Sequence, residues 1–196
     1  MDKFKKQYRT KSTRLQYWNY GWNAAYFVTI CTANRKHYFG EVVQGEMQLS
    51  DIGRCAEKCW NEIPEHFPFV ILDGFVVMPN HVHGIIIINK PMTTVETQEP
   101  QETQNIASLQ PQNKFGAQSQ NLAAIIRGFK IGVTKYAKSM QLNFAWQPRF
   151  HEHIIRNEES YLKIADYIQT NPLRWQEDRY YQNQELENTL CKPIMK

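Results

Sequence analysis

The spacing of apolar residues along the chain predicts strands in its first half. A run of β-branched and aromatic residues at 25–32, Ala-Tyr-Phe-Val-Thr-Ile-Cys-Thr, is typical of a buried strand. Two further apolar runs, at 69–78 and 81–89, are separated by Pro79-Asn80, a dipeptide that favours a turn. We therefore expect these two runs to pair as an antiparallel β-hairpin in the middle of a sheet.

Apolar residues at helical spacing predict three helices. The first begins after the capping residue Ser50, continues to about residue 66 and is ended by Pro64 and Pro68. The second begins after Asn121 and continues to about residue 140. The other predicted elements are two short extended pieces at 41–49, a strand at 149–156 and a third helix at 158–169.

The predicted order of elements is strand, helix, strand, strand, helix, strand, helix, which indicates an α+β fold. It is the order of a ferredoxin-like antiparallel sheet with helices on one face and an added C-terminal helix. We expect a basic, aromatic N-terminal arm at 1–24, one domain at 25–178 and a C-terminal tail at 179–196. Residues 89–120 are rich in Gln and Thr and poor in apolar residues, which predicts a flexible insert.

The composition indicates a globular protein. With 196 residues, of which 42% are hydrophobic, the chain can bury the core of one domain. No apolar run approaches the roughly 20 residues that cross a bilayer, so we expect no membrane contact and a cytoplasmic location. The four cysteines are too few and too scattered for a disulfide framework, and Cys55 and Cys59 have no second cysteine pair with which to hold zinc.

Positive charge is concentrated at the N-terminal end. Residues 1–40 contain eight lysine and arginine residues against a single acidic residue, Asp2. Five aromatic residues lie within or just after this basic stretch, between Tyr8 and Trp22. Because cations contact phosphates and aromatic rings stack on bases, this pattern favours nucleic-acid binding. A solvated arm without a partner is the alternative.

His81 and His83 are the first candidates for chemistry. They are two residues apart in a predicted strand, so both imidazoles leave the same face of the sheet while Val82 points to the other face. Two neutral imidazoles on a rigid strand can share one metal ion. Buried histidines that only make hydrogen bonds are the alternative.

Tyr167 and Asn171 are four residues apart in the last predicted helix, which places a phenol and an amide on one face. With a metal ion to neutralise a phosphate, a phenolate can displace an alkoxide and form a phosphotyrosine ester. A tyrosine packed on the sheet is the alternative. Tyr161 precedes Tyr167 by six residues, and at about 100° per residue we expect it away from the metal.

Several motifs together resemble those of a known protein family. Met-Pro-Asn-His-Val-His-Gly at 78–84, followed by four isoleucines, resembles the His-hydrophobic-His motif of the HUH nucleases. Tyr-Ile-Gln-Thr-Asn-Pro at 167–172 resembles the catalytic helix of the single-tyrosine transposases, in particular the REP-associated tyrosine transposases (RAYTs). The similarity covers most of 14–178 and includes the segments at 26–32, 34–35, 39–40, 146–147, 152–156 and 171–175.

This resemblance implies that residues 25–178 form an HUH transposase domain, a metal-dependent endonuclease and strand transferase for single-stranded DNA. His81 and His83 would hold Mg²⁺ or Mn²⁺, with Asn171 as the third ligand where related enzymes commonly have Gln. Tyr167, on the added C-terminal helix, would attack the scissile phosphate, keep the 5′ phosphate as a covalent intermediate and release a 3′ hydroxyl.

The resemblance also implies a partner. RAYT substrates are single-stranded repeats that fold into hairpins, and the enzyme is expected to act as a monomer, with a homodimer as the alternative. A second alternating pair, His151 and His153, surrounds a charged residue. We expect this pair to support the site or to face DNA rather than to bind the metal. The candidate DNA contacts are Arg14, Arg127, Lys130 and Arg149.

Two other functions stay open at this point. The first is a catalytically decayed protein that still binds hairpin DNA, although the presence of His81, His83 and Tyr167 favours activity. The second is a structural zinc site made of the histidines and cysteines. The cysteines lie in segments that the sequence gives no reason to bring together, which disfavours zinc.

Overall fold

The protein is described from a computed structural model that covers residue 15 and residues 18–91 and 120–181. The predictions for Arg14, for most of the N-terminal arm, for residues 92–119 of the insert and for residues 182–196 concern positions outside the described residues. The described strands and α-helices, in chain order, are β1 (Ala24–Cys31), β2 (Gly40–Val43), β3 (Glu46–Leu49), α1 (Asp51–Asn61), α2 (Ile63–His66), β4 (Val70–Met78), β5 (His81–Ile88), α3 (Leu122–Ser139), β6 (His151–Ile155) and α4 (Glu158–Thr170); two 3-10 helices lie at Ala33–Arg35 and Trp175–Glu177.

Four strands form one antiparallel sheet in the order β4-β5-β1-β6, and β2 and β3 form a separate β-hairpin. The first and third strands of the β-α-β-β-α-β core are therefore central, as in the ferredoxin-like arrangement. The predicted α+β fold is confirmed. Among the described helices, none is both long and apolar enough to cross a membrane.

Capping residues begin three of the helices, and two of them, Ser50 and Asn121, were predicted from the sequence. The side chains of Ser50, Asn121 and Asn157 each accept a hydrogen bond from the backbone amide three residues later. The helix predicted at 50–66 differs, because it is divided into α1 and α2 at Glu62. Pro64 has no amide hydrogen to donate to the preceding turn, so it lies in the first turn of α2 rather than after a continuous helix.

The two faces of the sheet are covered by different helices. On one face, apolar residues of β1 and β5 pack with residues of α1 and α3 in the main core. Trp60 of α1 lies so close to Gly84 that a Cβ atom there would be 2.3 Å from its ring. On the opposite face, Ile168 of α4 packs over Gly74 in β4. The helix that carries Tyr167 therefore covers the face toward which His81 and His83 point.

Candidate metal and tyrosine site

His81 and His83 lie side by side in the middle of the sheet. In the ladder between β5 and β1, His81 pairs with Cys31 and His83 pairs with Thr29. Both histidines are fully buried, and their ring centroids are 4.4 Å apart. The two-residue spacing in the sequence thus places both imidazoles on one face, as predicted.

Hydrogen bonds orient both imidazoles through their Nδ1 atoms. His83 Nδ1 is 2.9 Å from Thr29 Oγ1, and His81 Nδ1 is 2.8 Å from Asn80 Oδ1. The amide nitrogen of Asn80 donates to the backbone carbonyls of Arg35 and Tyr180, so its oxygen must be the acceptor for His81. His81 therefore carries its proton on Nδ1, and its Nε2 has a lone pair available for a metal.

The chemical environment keeps both histidines neutral. Burial lowers the pKa of His83 to about 3, although the negative charge of Asp178 opposes this shift. Burial also lowers the pKa of His81 well below its usual value, and the adjacent imidazole of His83 and the positive charges of Arg179 and Arg35 add to the effect. Neutral imidazole is the form that binds metal ions. His81 Nε2 is buried and has no hydrogen-bond partner among the described residues.

Helix α4 brings Tyr167 and the residue after its last turn, Asn171, to this pair. The hydroxyl of Tyr167 lies 3.2 Å from His83 Nε2. Asn171 is buried, and its side-chain oxygen has no partner within the part of the chain that the structure describes. The site thus contains two buried acceptor atoms, one nitrogen and one oxygen, that lack a donor. A cation bound within reach of both atoms would satisfy them.

Asp178 completes the group and was not identified from the sequence. Its Oδ2 atom accepts hydrogen bonds from the Tyr167 hydroxyl at 3.0 Å and from the Asn171 amide at 2.9 Å. Ligand atoms of His81, His83 and Asp178 all lie within 4.8 Å of one another, so these three residues could hold a metal ion. Among the described residues, no cysteine belongs to this set.

The segment after Asp178 covers the site. Tyr180 is buried, with its ring centroid 4.6 Å from that of His81. The guanidinium groups of Arg35 and Arg179 lie 5.4 Å and 4.6 Å from the centre of the Tyr180 ring. The start of the predicted C-terminal tail therefore packs against the domain. The aromatic pair at 180–181 was the available sign in the sequence that this segment is not solvated.

Tyr167 is a protonated phenol in this arrangement. Burial raises its pKa above the usual value, and the charge and hydrogen bond of Asp178 raise it further. The other tyrosine of the helix has a different environment, since Tyr161 donates a hydrogen bond to Asp73 in β4. The two tyrosines thus contact different strands of the sheet, and Tyr161 lies away from the histidines, as the spacing on a helix predicts.

The predicted DNA contacts in the described residues lie on another surface. Arg127, Lys130 and Arg149 line one cleft of about 570 Å³ on the outer side of α3. Lys130 donates hydrogen bonds to the carbonyls of Gln147 and Arg149, and burial lowers its pKa to about 8. Its ammonium group is therefore hydrogen-bonded to the loop before β6. These bonds use donors that a contact with a DNA phosphate would need. Lys135 and Lys138 line the same cleft and were not in the predicted set.

Comparison with solved structures identifies the fold. The structure of a REP-associated tyrosine transposase bound to a REP hairpin matches this chain with a TM-score of 0.53 and 21% sequence identity, over 84% of this chain and 74% of that chain. The resemblance predicted from the sequence is confirmed at the level of the fold, which is that of a REP-associated tyrosine transposase.

Comparison of sequences identifies the family. An uncharacterized protein of Haemophilus influenzae (strain ATCC 51907 / DSM 11121 / KW20 / Rd) is 41% identical over 180 residues, which is 87% of this chain and 92% of that protein. The chain belongs to the family of this Haemophilus influenzae protein. No family model matches the chain.

Proposed function

We propose that this protein is a metal-dependent endonuclease and strand transferase for single-stranded DNA that works through a 5′-phosphotyrosine intermediate. The observation that carries the proposal is the position of Tyr167. Its hydroxyl lies 3.2 Å from a nitrogen of His83, and His83 belongs to a set of three residues that could hold a metal ion. A packed tyrosine of purely structural role would not need this neighbour.

The residues present fit a divalent cation. His81 and His83 would bind it through their Nε2 atoms, and an oxygen would come from Asn171, from Asp178 or from both. The mixed nitrogen and oxygen set, together with a phosphate substrate, favours Mg²⁺ or Mn²⁺. Such an ion would supply positive charge to offset the charge of the scissile phosphate under attack.

Tyr167 supplies the nucleophile. Its oxygen would form a bond to phosphorus while the bond from phosphorus to the 3′ oxygen breaks, and the 3′ oxygen would take up a proton from water and leave as a hydroxyl. The Asp178 carboxylate, which already accepts the hydrogen bond from the phenol, is placed to take its proton. The phosphodiester energy is kept in the tyrosine ester. The 3′ hydroxyl of the same or another strand can therefore reverse the reaction without ATP.

The substrate we propose is single-stranded DNA that folds into a hairpin. The transposase of the same fold was solved with a REP hairpin, which makes this class of DNA the first to test. Arg127 and Arg149, the basic arm with Arg14 and, to a smaller extent, Lys130 would contact its phosphates. The activity would be transposition or the mobilisation of repeats by a monomer in the cytoplasm.

The experiment that tests the function uses two tyrosine variants of one helix. The wild-type protein, Tyr167→Phe and Tyr161→Phe are incubated with labelled single-stranded hairpins from the intergenic repeats of the genome that encodes the protein, with Mn²⁺ or with EDTA. We expect a DNA adduct that survives denaturing gels for the wild type and for Tyr161→Phe in Mn²⁺, and no detectable adduct for Tyr167→Phe.

Two outcomes would contradict this function. An adduct that persists in Tyr167→Phe but is lost in Tyr161→Phe would show that the wrong nucleophile has been assigned. If the wild type binds hairpin DNA but forms no adduct with either Mn²⁺ or Mg²⁺, the protein is a hairpin-binding protein whose catalytic function has decayed.

A further inference from the structure

A groove beside the candidate site lies between β6 and α4. It has a volume of about 520 Å³ and is separate from the basic cleft on α3. Its walls combine an aromatic ring, aliphatic surface, neutral polar groups and one ion pair, which joins Lys163 to Glu159. The residues that line it include Phe27, His153, Asn157, Ser160, Lys163 and Ile164.

Phe27 connects this groove to the nucleophile. Its ring stacks on His83 with centroids 5.2 Å apart, and it meets the ring of Tyr167 edge-on at 6.1 Å. In the ladder between β1 and β6, Phe27 lies directly opposite His153. A nucleotide whose phosphate is held at Tyr167 therefore has this groove as the adjacent space for its base.

The chemistry of the groove fits a nucleobase better than a phosphate. Lys163 is the only cation among its lining residues, and it is paired with Glu159. The exposed imidazole of His153 can donate or accept a hydrogen bond at the edge of a base. Asn157 uses its side-chain oxygen to accept from the Ser160 amide, which leaves its NH₂ group as a donor. An aromatic wall with neutral polar groups around it is how proteins bind unpaired bases.

We propose that this groove binds the base of a nucleotide that flanks the scissile phosphate, and that His153 contributes to the choice of that base. The proposal rests on the proposed function, because it requires single-stranded DNA with its scissile phosphate at Tyr167. It adds a subsite for the unpaired flank of the substrate, whereas the basic cleft on α3 would serve phosphates.

The test measures the binding of DNA that lacks one base. Hairpin oligonucleotides with a single-stranded flank carry one abasic nucleotide, placed in turn at each position around the cleavage site mapped from the tyrosine adduct. Affinities are measured by fluorescence anisotropy in the Tyr167→Phe protein, alone and combined with His153→Ala or His151→Ala. His151 is the matched control because it is exposed on the same strand and face but does not line the groove. A general DNA contact by His151 would weaken the binding of every oligonucleotide alike and leave the loss caused by one missing base unchanged.

We expect one abasic position next to the cleavage site to weaken binding by about fivefold to a hundredfold, the range for loss of one stacked base. In the His153→Ala protein, the abasic nucleotide at that position should reduce the affinity several-fold less than it does without this substitution, and other positions should be unaffected. In the His151→Ala protein, the abasic nucleotide should reduce the affinity by the full amount. Equal losses in both variants, with cleavage through Tyr167 intact, would overturn the groove proposal alone. If no hairpin binds and no adduct forms, the proposed function fails, and the groove proposal fails with it.

Discussion

The central strands β1 and β5 show how one sheet can have two faces of opposite chemistry. On the face covered by α1 and α3, they contribute Val28, Ile30, Val82 and Ile86, all buried and all aliphatic. On the face covered by α4, Thr29 and His83 contribute hydroxyl and imidazole groups that are equally buried, beside the aliphatic side chain of Ile85. The two faces therefore differ in the polar groups that the strands contribute, and they do not differ in how deeply these side chains are buried.

This comparison assigns stability and chemistry to separate faces. Aliphatic side chains gain free energy from burial and leave no polar atom unpaired. On the other face, His81 Nε2 and Asn171 Oδ1 are buried with no partner among the described residues, whereas on the aliphatic face the same holds for the indole nitrogen of Trp60 in α1. Each such atom costs about 1–3 kcal/mol of folding free energy. We infer that the face toward α1 and α3 holds the sheet together and that the α4 face is tolerated because it provides a binding site.

The largest effect on stability is expected from the aliphatic face. Ile86→Ala should lower the free energy of unfolding by about 2–5 kcal/mol, because it leaves a cavity in the main core. Ile87→Ala is the matched control: it is adjacent, lies on the opposite face and is only partly buried, so its loss should be clearly smaller. Urea unfolding followed by tryptophan fluorescence measures both. Equal losses would contradict the division between the two faces.

The sequence predicted those parts of the site that depend on local periodicity. The two-residue repeat of a strand places His81 beside His83, and the four-residue repeat of a helix aligns Tyr167 with Asn171. Asp178 could not be found in this way, because it reaches the site only through the turns after α4. Its contacts join segments whose relative position depends on packing of the whole domain.

The same limit explains why the prediction for the basic surface was less complete than the prediction for the histidines and the tyrosine. The charge of Lys130 is visible in the sequence, but its hydrogen bonds to two carbonyls of the loop before β6 are not. Likewise, the orientation of Asn80 follows from the backbone of Arg35 and Tyr180, which lie far from it in the chain. Sequence patterns locate chemical groups on elements, whereas nonlocal hydrogen bonds decide which of those groups are available.

A smaller effect concerns the metal and sharpens the assignment of the α4 face. Asp178→Asn should weaken Mn²⁺ binding about tenfold or more, because it removes a charged oxygen from the set formed with the two histidines. Asn171→Ala should weaken it by less than Asp178→Asn, since a neutral amide is lost. Isothermal titration calorimetry without DNA measures both, and Ile87→Ala provides the reference. The opposite ranking would make Asn171 the principal oxygen ligand, as the resemblance to single-tyrosine transposases implied.

The last effect differs in kind, because it is a dependence of stability on pH that should originate on the α4 face. The pKa of His83 is about 3 in the folded protein and near 6.5 in an unfolded chain, and the pKa of His81 is lowered as well. The unfolded state therefore binds more protons below about pH 6.5, and the stability of the folded state is present above that pH and is lost on acidification. Each histidine should reduce the free energy of unfolding by up to about 1.4 kcal/mol per pH unit in this range.

Urea unfolding in EDTA between pH 7 and pH 5 measures this slope. The double variant His81→Gln/His83→Gln should be much less sensitive to pH, and any remaining slope is expected from His37, whose pKa is also lowered by burial. On the aliphatic face, Ile86→Ala should lower the stability at every pH and leave the slope unchanged, because it removes no titratable group. A slope that is the same in the double variant and in the wild type would mean that these two imidazoles are not held neutral by the fold. The α4 face would then lose the property that prepares it to bind a metal.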